Sequence, residues 1–349
     1  MSSRTHESLG LDEHDLALVN ALQIYPRAPW TLLGPILELD PATLTRRWAR
    51  LTDGGYAWIT TAATQAYIDQ ACTAMVEIKC VPGQALQAAT TLAQDPQTVT
   101  IDRLAGDQDL LLTVFTADLP AMERYISNRL GRLPGARDIA SHIMIRHFSG
   151  SGSWRLDALD RDQTARIERA VQHPSPQPGE LETRDREMLQ LLHTDGRRSY
   201  VELAHHLGVS PMTAQRRLAR LEAIGYLAWR CDFARPLVGW PVTAIYRAAA
   251  PTGHTTDTAR TLVQFPETRF CVTLAGQDNI VLAAYLHSIA DADRFEAEVS
   301  ARLPQLTIRD RAIVYHTVKA YSRLLDPQGR SIGTIPPNLL LPDPSTANS

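Results

Sequence analysis

The chain has 349 residues, of which 44% are hydrophobic and 21% are charged. This composition is that of a globular protein long enough for two or three domains, and it excludes collagen-like and disulfide-stapled classes. Lysine and arginine total 35 against 38 aspartates and glutamates, a formal charge of -3, so no chain-wide positive field attracts nucleic acid or membrane. Any site for a polyanion must therefore be local.

The amino-terminal residues show no basic segment followed by an apolar one, and no stretch approaches the roughly 18 apolar residues that span a bilayer. We therefore expect a cytoplasmic protein without a membrane partner. The four cysteines form no C-x-x-C pair and have no histidine at a zinc-binding spacing. We interpret them as reduced core thiols, and we expect no metal and no cofactor.

The sequence contains an internal repeat. Residues 11–60 align without a gap with residues 181–230, and at the same offset residues 92–115 align with residues 262–285. Coincidence over this span is implausible, so the pattern indicates one unit present twice. The identical pairs include Asp15/Asp185, Pro41/Pro211, Arg46/Arg216, Arg50/Arg220 and Tyr56/Tyr226.

The first part of the second repeat has the pattern of a helix-turn-helix. Three consecutive helices are predicted from helical apolar spacing in 181–192, in VELAHHL and in SPMTAQRRLARLEAIG. Gly208 occupies the turn before the third helix, and Ser210 followed by Pro211 supplies an N-cap and an N1 proline. The strand-like segment after this module fits either a wing or a plain connecting strand.

The third helix has one apolar face, formed by Ala214, Leu218 and Leu221. In a helix-turn-helix this helix enters the DNA major groove, so its opposite side is the predicted DNA-binding surface. An ordinary solvated helix face is the alternative, but the cap and the inward spacing recur in both repeats. The candidate residues of this copy are Ser210, Met212, Thr213, Arg216, Arg217 and Arg220, with Arg217 assigned to phosphate contact or packing.

The first repeat has the same pattern in DPATLTRRWARL, with Leu44, Trp48 and Leu51 on the inner face. Glu38 stands at the turn position of Gly208, and Gly34-Pro35 is predicted to interrupt the second helix, so the geometry of this copy is less well defined by its sequence. Its DNA-binding candidates are Thr43, Arg46, Arg47 and Arg50, with Arg47 assigned to phosphate contact or packing.

The second part of each repeat has a βαββαβ order. Strands are predicted at 72–80, 97–105, 109–117 and 136–148, with helices at 83–94 and 118–132, and the series recurs from Pro241 to Lys319. This order predicts a ferredoxin-like antiparallel sheet whose uncovered face packs on its counterpart in a pseudo-dimer. Two loops are ligand-binding candidates, although a simple β-turn is the preferred alternative: Gly106, Asp107 and Asp109 in the first repeat, and Gly276, Asp278 and Asn279 in the second.

The repeat resembles the Lrp/AsnC transcriptional regulators in LETRDREMLQLL, VELAHHLGVSPMTAQRRLARLEAIGYL, LAGDQDLLLTVFTADLPAMERYISNRLGRLPG and IVYHTVKAY. The resemblance implies a winged helix-turn-helix followed by a RAM- or ACT-like domain that binds amino acids or related metabolites and assembles dimers into larger discs. The family's G-x-x-D loop maps onto Gly106 and Asp109, and onto Gly276 and Asn279, where the acid is replaced. Two non-identical recognition helices imply unequal half-sites about one helical turn apart.

We therefore predict an α+β protein made of two tandem copies of this pair of domains. The predicted function is sequence-specific transcriptional regulation controlled by an amino acid or related metabolite, with double-stranded DNA as partner, a homo-oligomer of pseudo-dimeric chains and no catalytic residue. The predicted segments are 11–62 and 181–235 for the helix-turn-helix domains, 70–150 and 238–325 for the ferredoxin-like domains, 151–180 for a connecting helix and Pro-rich linker, and 326–349 for a disordered tail.

Two alternatives remain. Sirohaem decarboxylases resemble the same architecture, and residues 230–246 resemble their Pro-Trp-Pro-rich stretch. Against an enzyme, His142 and His147 on one predicted strand are expected to point to opposite faces and to form no site by themselves. The second alternative is a metabolite-binding protein whose helix-turn-helix serves only assembly; the exposed arginines at matched positions argue against it.

Overall fold

The computed structural model describes residues 11–62, 64, 71–148, 154–171, 177 and 179–337. Its elements are, in chain order, α1 (Glu13–Ile24), α2 (Trp30–Leu37), α3 (Pro41–Asp53), β1 (Ala57–Ala62), β2 (Cys72–Cys80), α4 (Ala85–Ala93), β3 (Thr98–Ala105), β4 (Leu110–Thr116), α5 (Leu119–Arg124), β5 (Ala136–Phe148), α6 (Arg161–Ala170), α7 (Thr183–Thr194), α8 (Tyr200–Leu207), α9 (Pro211–Ala223), β6 (Ala228–Phe233), β7 (Val242–Ala249), α10 (Thr255–Leu262), β8 (Thr268–Leu274), β9 (Ile280–Leu286), α11 (Asp291–Arg302), β10 (Thr307–Ala320), β11 (Arg323–Leu325) and β12 (Ser331–Thr334).

The chain forms two compact units, and each contains segments of both repeats. Of the described residues, a helical unit comprises 11–62, 64, 155–171, 177, 179–234 and 330–336, and a sheet unit comprises 71–148, 154, 235–329 and 337. Among the described residues, no helix has the length and apolar character needed to cross a membrane.

In the helical unit, α1–α3 and α7–α9 form two three-helix groups with the predicted caps. The Asp40 side chain accepts a hydrogen bond from the Ala42 backbone N–H at the start of α3, and the Ser210 side chain accepts one from Thr213 at the start of α9. Because both helices carry proline at N1, their first turns are preorganised. The predicted inner faces of α3 and α9 are buried: Leu44, Trp48 and Leu51, and Ala214, Leu218 and Leu221.

The first group is more regular than its sequence predicts. The predicted interruption at Gly34-Pro35 is wrong, since α2 continues through Pro35 to Leu37. Gly34 is buried, and a Cβ atom on it would lie 2.9 Å from the Leu39 carbonyl oxygen, so the glycine permits close packing of the turn. Glu38 adopts a left-handed φ of 54°, matching the φ of 63° at Gly208. Both groups therefore have the same turn.

Substitutions at these two turn positions should change the stability of the protein in opposite directions. A side chain in the left-handed region is disfavoured by roughly 1 kcal/mol relative to glycine. We expect Glu38→Gly to raise the free energy of unfolding by up to about 1 kcal/mol and Gly208→Ala to lower it by about as much. Urea unfolding of both variants tests this, and a destabilised Glu38→Gly protein would contradict it.

The strand that follows each three-helix group connects the two groups. β1 pairs with β6 in antiparallel fashion, with Thr60 directly opposite Arg230. Both segments therefore form strands, as predicted, and the two strands pair with each other. Residues 172–176 and 178 of the predicted Pro-rich linker lie outside the described residues.

In the sheet unit, eight strands close into an antiparallel barrel in the order β10, β3, β4, β2, β5, β8, β9, β7 and back to β10. Each half has the ferredoxin-like order, β3-β4-β2-β5 and β8-β9-β7-β10. The halves join edge to edge at β5–β8 and β3–β10, which the sequence did not predict. Their inner faces share one apolar cluster: Met75, Leu104, Leu111, Ile245, Val272, Leu274, Val281, Ala283 and Ala312.

The outer faces of the barrel are covered by helices from the same half. Leu92 of α4 and Met122 of α5 pack on the first half, and Leu262 of α10 and Phe295 of α11 pack on the second. The single helix predicted at 118–132 is instead α5 followed by a π-helical turn at Tyr125–Arg129 and a 3₁₀ turn at Leu130–Arg132.

Part of the predicted disordered tail is ordered. β12 at Ser331–Thr334 lies in the helical unit, where the Ser331 backbone N–H donates to the Gly55 carbonyl at 2.8 Å. The prediction of disorder is wrong for these residues, because polar and proline-rich composition does not reveal a main-chain partner elsewhere in the chain. Residues 338–349 lie outside the described residues.

Candidate nucleic-acid interface

The exposed faces of α3 and α9 each present an arginine at the same position. Arg46 and Arg216 are both exposed, and neither has a hydrogen-bond or ion-pair partner within the described part of the chain. Met212 beside Arg216 is 75% exposed. A guanidinium group held on a helix surface with all donors unused is suited to phosphate or to the edge of guanine.

The other predicted DNA-binding arginines of α9 have partners within the protein. Asp185 on α7 is completely buried, and its carboxylate accepts hydrogen bonds from Arg217 at 2.5 Å and Arg220 at 2.6 Å. Arg217 also contacts Glu182, at 3.0 Å. Burial alone would lower the pKa of Arg217, but its hydrogen bonds to Asp185 and Glu182 raise it above the ordinary value.

The same arrangement anchors α3. The Asp15 carboxylate on α1, 1% exposed, accepts from Arg47 at 2.9 Å and from Arg50. Arg50 and Arg220, both predicted to contact DNA, thus each have a buried aspartate on the first helix of their group as a partner, and Arg50 is still 45% exposed. The packing alternative for Arg47 and Arg217 is the one that the geometry favours.

The remaining candidates lie at the amino-terminal ends of the same two helices. Ser210 is exposed and its hydroxyl lies 2.9 Å from that of the half-buried Thr213, so both take part in the cap. Thr43 is half-buried at the matching place on α3. The structure therefore brings Thr43 near Arg46 on one helix and Ser210, Met212 and Thr213 near Arg216 on the other.

Two further arginines fasten the three-helix groups to each other. Arg27 donates to the carbonyl oxygens of Gly196 and Arg198, and Arg197 donates to those of Pro26 at 2.7 Å and Ala28 at 2.9 Å. The two arginines occupy equivalent positions in the two repeats, so the contact is reciprocal. Burial and the charge of Arg27 lower the pKa of Arg197 to about 10. With the β1–β6 ladder, these bonds hold α3 and α9 in one unit.

Sequence reasoning missed Asp15, Asp185, Arg27 and Arg197 as determinants of the interface. The identity of Asp15 and Asp185 in the two repeats was an available signal. An aspartate at the third position of a helix is, however, also typical of simple capping. The sequence carries no signal for the carbonyl partners of Arg27 and Arg197, since every residue has a backbone carbonyl group.

The candidate ligand loops have their polar side chains engaged in the fold. The Asp109 carboxylate accepts from the Cys80 backbone N–H at 2.7 Å, and the Asn279 side chain makes two bonds of 2.9 Å with the Ala250 backbone. The replacement of acid by amide therefore preserves the contact that fixes each loop. Asp107 is exposed, and Asp278 lies 3.9 Å from Arg309. The glycines at both loops, Gly106 and Gly276, have positive φ.

The barrel interior contains a buried charged group that the sequence analysis did not identify. Glu77 on β2 accepts a hydrogen bond of 2.8 Å from Arg247 on β7, and His142 on β5 lies 3.8 Å from the same Glu77 oxygen. Asp310 on β10 lies 3.7 Å from Arg247. Burial raises the pKa of Glu77, although the charges of Arg247 and His142 act in the opposite direction.

The expectation that His142 and His147 point to opposite faces of their strand is not met. The pairing of β5 with β8 has a bulge between Met144 and Arg146, which reverses the alternation of side chains. His142 faces Glu77, and His147 stacks on Phe270, which packs on the interior cluster. The described residues contain no group of three or more side chains placed to hold a metal.

Asp102 should make stability depend on pH. Its burial raises its pKa to about 6, against the lowering effects of the Thr317 hydrogen bond and the Arg235 charge. Because this pKa exceeds the ordinary value near 4, the folded state binds the proton more tightly, and stability falls as pH rises from about 4 to about 6. We expect the free energy of unfolding of Asp102→Asn, relative to the unmodified protein, to rise by up to about 3 kcal/mol across that range.

Urea unfolding at several pH values measures this difference, with Asp107→Asn as the matched control because Asp107 is exposed on a loop of the same unit. A difference between Asp102→Asn and the unmodified protein that does not change with pH would contradict the prediction.

Two segments of the chain match family models. Residues 184–222 match an AsnC-type helix-turn-helix domain, and residues 73–154 match an Lrp/AsnC ligand binding domain. An uncharacterized HTH-type transcriptional regulator from Pyrococcus horikoshii, PH0140, is 25% identical over 153 residues, covering 43% of this chain and 97% of that protein. The HTH-type transcriptional regulator FL11 of the same organism is 25% identical over 136 residues, covering 39% of this chain and 88% of FL11.

A solved structure shares the fold over most of the chain. The siroheme decarboxylase NirDL superposes with a TM-score of 0.56 over 88% of this chain and 93% of its own, at 12% sequence identity. An identity this low is informative about the fold alone.

Proposed function

We propose that this chain, whose matches support the Lrp/AsnC family, is a sequence-specific transcriptional regulator in which two regulator units are fused in tandem. The relatives carry the name of HTH-type transcriptional regulators, and PH0140 aligns over nearly its whole length with only 43% of this chain. The remaining length accommodates a second unit, in agreement with the internal repeat of the sequence.

The observation that carries the proposal is the different use of the arginines on α3 and α9. Four of them are bound to buried aspartates and fix the helices, whereas Arg46 and Arg216 remain exposed without partners among the described residues. Each helix is thus fixed by ion pairs to the protein and presents one arginine without a partner at the matched position. This arrangement is suited to a groove of DNA.

The two recognition helices differ, so the DNA site should be asymmetric. Ala42 on α3 corresponds to Met212 on α9, and Thr45 corresponds to Gln215. We propose two unequal half-sites about one helical turn apart. A footprint with perfect two-fold symmetry would count against this arrangement.

Control by an amino acid or related metabolite is the second part of the proposal. The Lrp/AsnC ligand binding domain match supports it, and the loops at Gly106 and Gly276 are the candidate positions. The exposed Asp107 and the half-buried Asp278 are the candidate side chains there, since Asp109 and Asn279 are used in fixing the loops.

The decisive experiment is titration of the purified protein with its own upstream DNA at two salt concentrations. Sequence-selective binding that weakens strongly with salt would support the regulator. Absence of selective binding at low salt would overturn it.

A second candidate is a sirohaem decarboxylase, favoured by the similarity in fold to NirDL over 88% of this chain. The same preparation distinguishes the two functions by its absorbance. A sirohaem-like spectrum without selective DNA binding would support the enzyme, and selective binding without pigment would support the regulator.

A further inference from the structure

The two edges where the halves of the barrel join have the same register. On β5–β8, Met144 lies opposite Leu274, and on β10–β3, Val314 lies opposite Leu104. Met144 and Val314 are equivalent positions of the two repeats, and so are Leu104 and Leu274. The barrel therefore has a pseudo-two-fold axis that exchanges equivalent positions of the two repeats.

A position close to such an axis faces its own counterpart. Glu77 and Arg247 are 170 residues apart, the offset of the repeat, and form an ion pair of 2.8 Å. Their strands, β2 and β7, are four places apart in the closed ring of eight, so the pair crosses the interior from opposite walls. The residues two positions earlier on these strands, Met75 and Ile245, belong to the shared apolar cluster.

This placement has different consequences for like and unlike halves. If the first halves of two chains closed a barrel in the same register, Glu77 would face Glu77, and for two second halves Arg247 would face Arg247. The Glu77 side chain is only 8% exposed, so water screens the repulsion poorly. Each side chain would lose the 2.8 Å ion pair and keep a longer contact from its own half, Glu77 with His142 at 3.8 Å and Arg247 with Asp310 at 3.7 Å. Only a first half with a second half brings Glu77 against Arg247.

The helical unit has one axis position of the same kind. Thr60 and Arg230 are also equivalent positions of the two repeats and lie directly opposite each other on the β1–β6 ladder, where Arg230 is 8% exposed. Two second repeats would place Arg230 opposite Arg230, each still bound to Asp232 of its own strand. The reciprocal contacts of Arg27 and Arg197 do not discriminate in this way, since like repeats can supply the same carbonyl oxygens.

We infer that Glu77 and Arg247 determine which halves pair: the first half of the sheet closes with a second half, and like halves of two chains are kept apart. The separation matters most during synthesis. The first half is complete 170 residues before the second, an interval of about 10–30 s at common synthesis rates, in which neighbouring first halves would otherwise meet. The pair therefore favours closure of the barrel within one chain over association of like halves from two chains.

The test uses pairs of cysteines in the full-length chain that report contact between like halves. Leu104→Cys with Met144→Cys cannot link within one chain, because each position faces the second half, but these positions face each other between two first halves. Leu274→Cys with Val314→Cys reports contact between two second halves in the same way. The proteins are refolded at increasing concentration and oxidised, and covalent dimers are measured on denaturing gels without reductant.

Each reporter is combined with Glu77→Gln or with Arg247→Gln. Both substitutions break the same ion pair, so each is the matched control for the other. With Glu77 and Arg247 intact, we expect no dimer above the level of protein without reporter cysteines. Glu77→Gln should increase dimers several-fold through the 104/144 reporter and not through the 274/314 reporter.

Arg247→Gln should produce the reverse pattern, with more dimers through the 274/314 reporter and none through the 104/144 reporter. This crossed result would support the inference. If neither reporter responds, or if both respond alike to the two substitutions, the pair does not select the partner and the inference is wrong. Since no DNA is present, failure here is separate from failure of the proposed function.

Discussion

Replacement of Arg46 and Arg216 together by alanine is expected to weaken binding to the DNA target about 30-fold or more, since each such contact contributes roughly 1–3 kcal/mol. The salt dependence of the affinity should decrease in parallel wherever a phosphate contact is lost. Neither side chain has a partner within the described residues, so the free energy of unfolding should stay within about 0.5 kcal/mol. Titrations at two salt concentrations and urea unfolding measure both quantities.

The matched control is Arg161→Ala, which removes an exposed arginine of the same unit from α6 instead of from α3 or α9. It should leave affinity nearly unchanged. The single variants add a spatial test, because Arg46→Ala and Arg216→Ala should each abolish protection at a different half-site. Unchanged affinity of the double variant would favour a helix-turn-helix that serves assembly only.

Asp185→Ala is expected to lower the free energy of unfolding by about 2–4 kcal/mol. The substitution leaves Arg217 and Arg220 without the buried carboxylate that holds both, and removing one partner of such a group is strongly destabilising. The Asp185 carboxylate also accepts from the Glu182 backbone N–H at 2.9 Å at the start of α7. Because the same aspartate holds α9 in place, DNA affinity should fall with stability, unlike the effect of Arg216→Ala.

Glu182→Ala is the matched control, because Glu182 contacts the same two arginines but its side chain is 58% exposed. An exposed partner contributes less than about 1 kcal/mol. Urea unfolding of both variants measures the two losses in the free energy of unfolding. A loss for Asp185→Ala no greater than that for Glu182→Ala would show that the buried carboxylate does not anchor α9.

Local sequence patterns determined most of the elements. The spacing of Leu44, Trp48 and Leu51, and of their counterparts on α9, correctly predicted the buried faces of both helices. The caps at Asp40 and Ser210 depend on neighbours within three residues, so they too follow from sequence. The βαββαβ order correctly predicted the strand order within each half of the barrel.

Tertiary structure decided which arginines are free. Arg216 and Arg220 lie four residues apart on the same helix surface, and their residue types and spacing are equivalent. They differ because Asp185, 35 residues from Arg220, lies within reach of one and not of the other. A contact at that distance along the chain depends on how α7 crosses α9, which no local pattern specifies.

The internal repeat is the property that the sequence by itself determined most firmly, since it depends only on comparing the chain with itself. Which residues of the two copies contact each other is determined only by the tertiary structure. Closure of the barrel at β5–β8 and β3–β10 brings Glu77 against Arg247, and the turn at Glu38 is held left-handed by the packing around it. Main-chain pairing between strand edges carries almost no side-chain signature, so the partner of an edge becomes evident only in the folded chain.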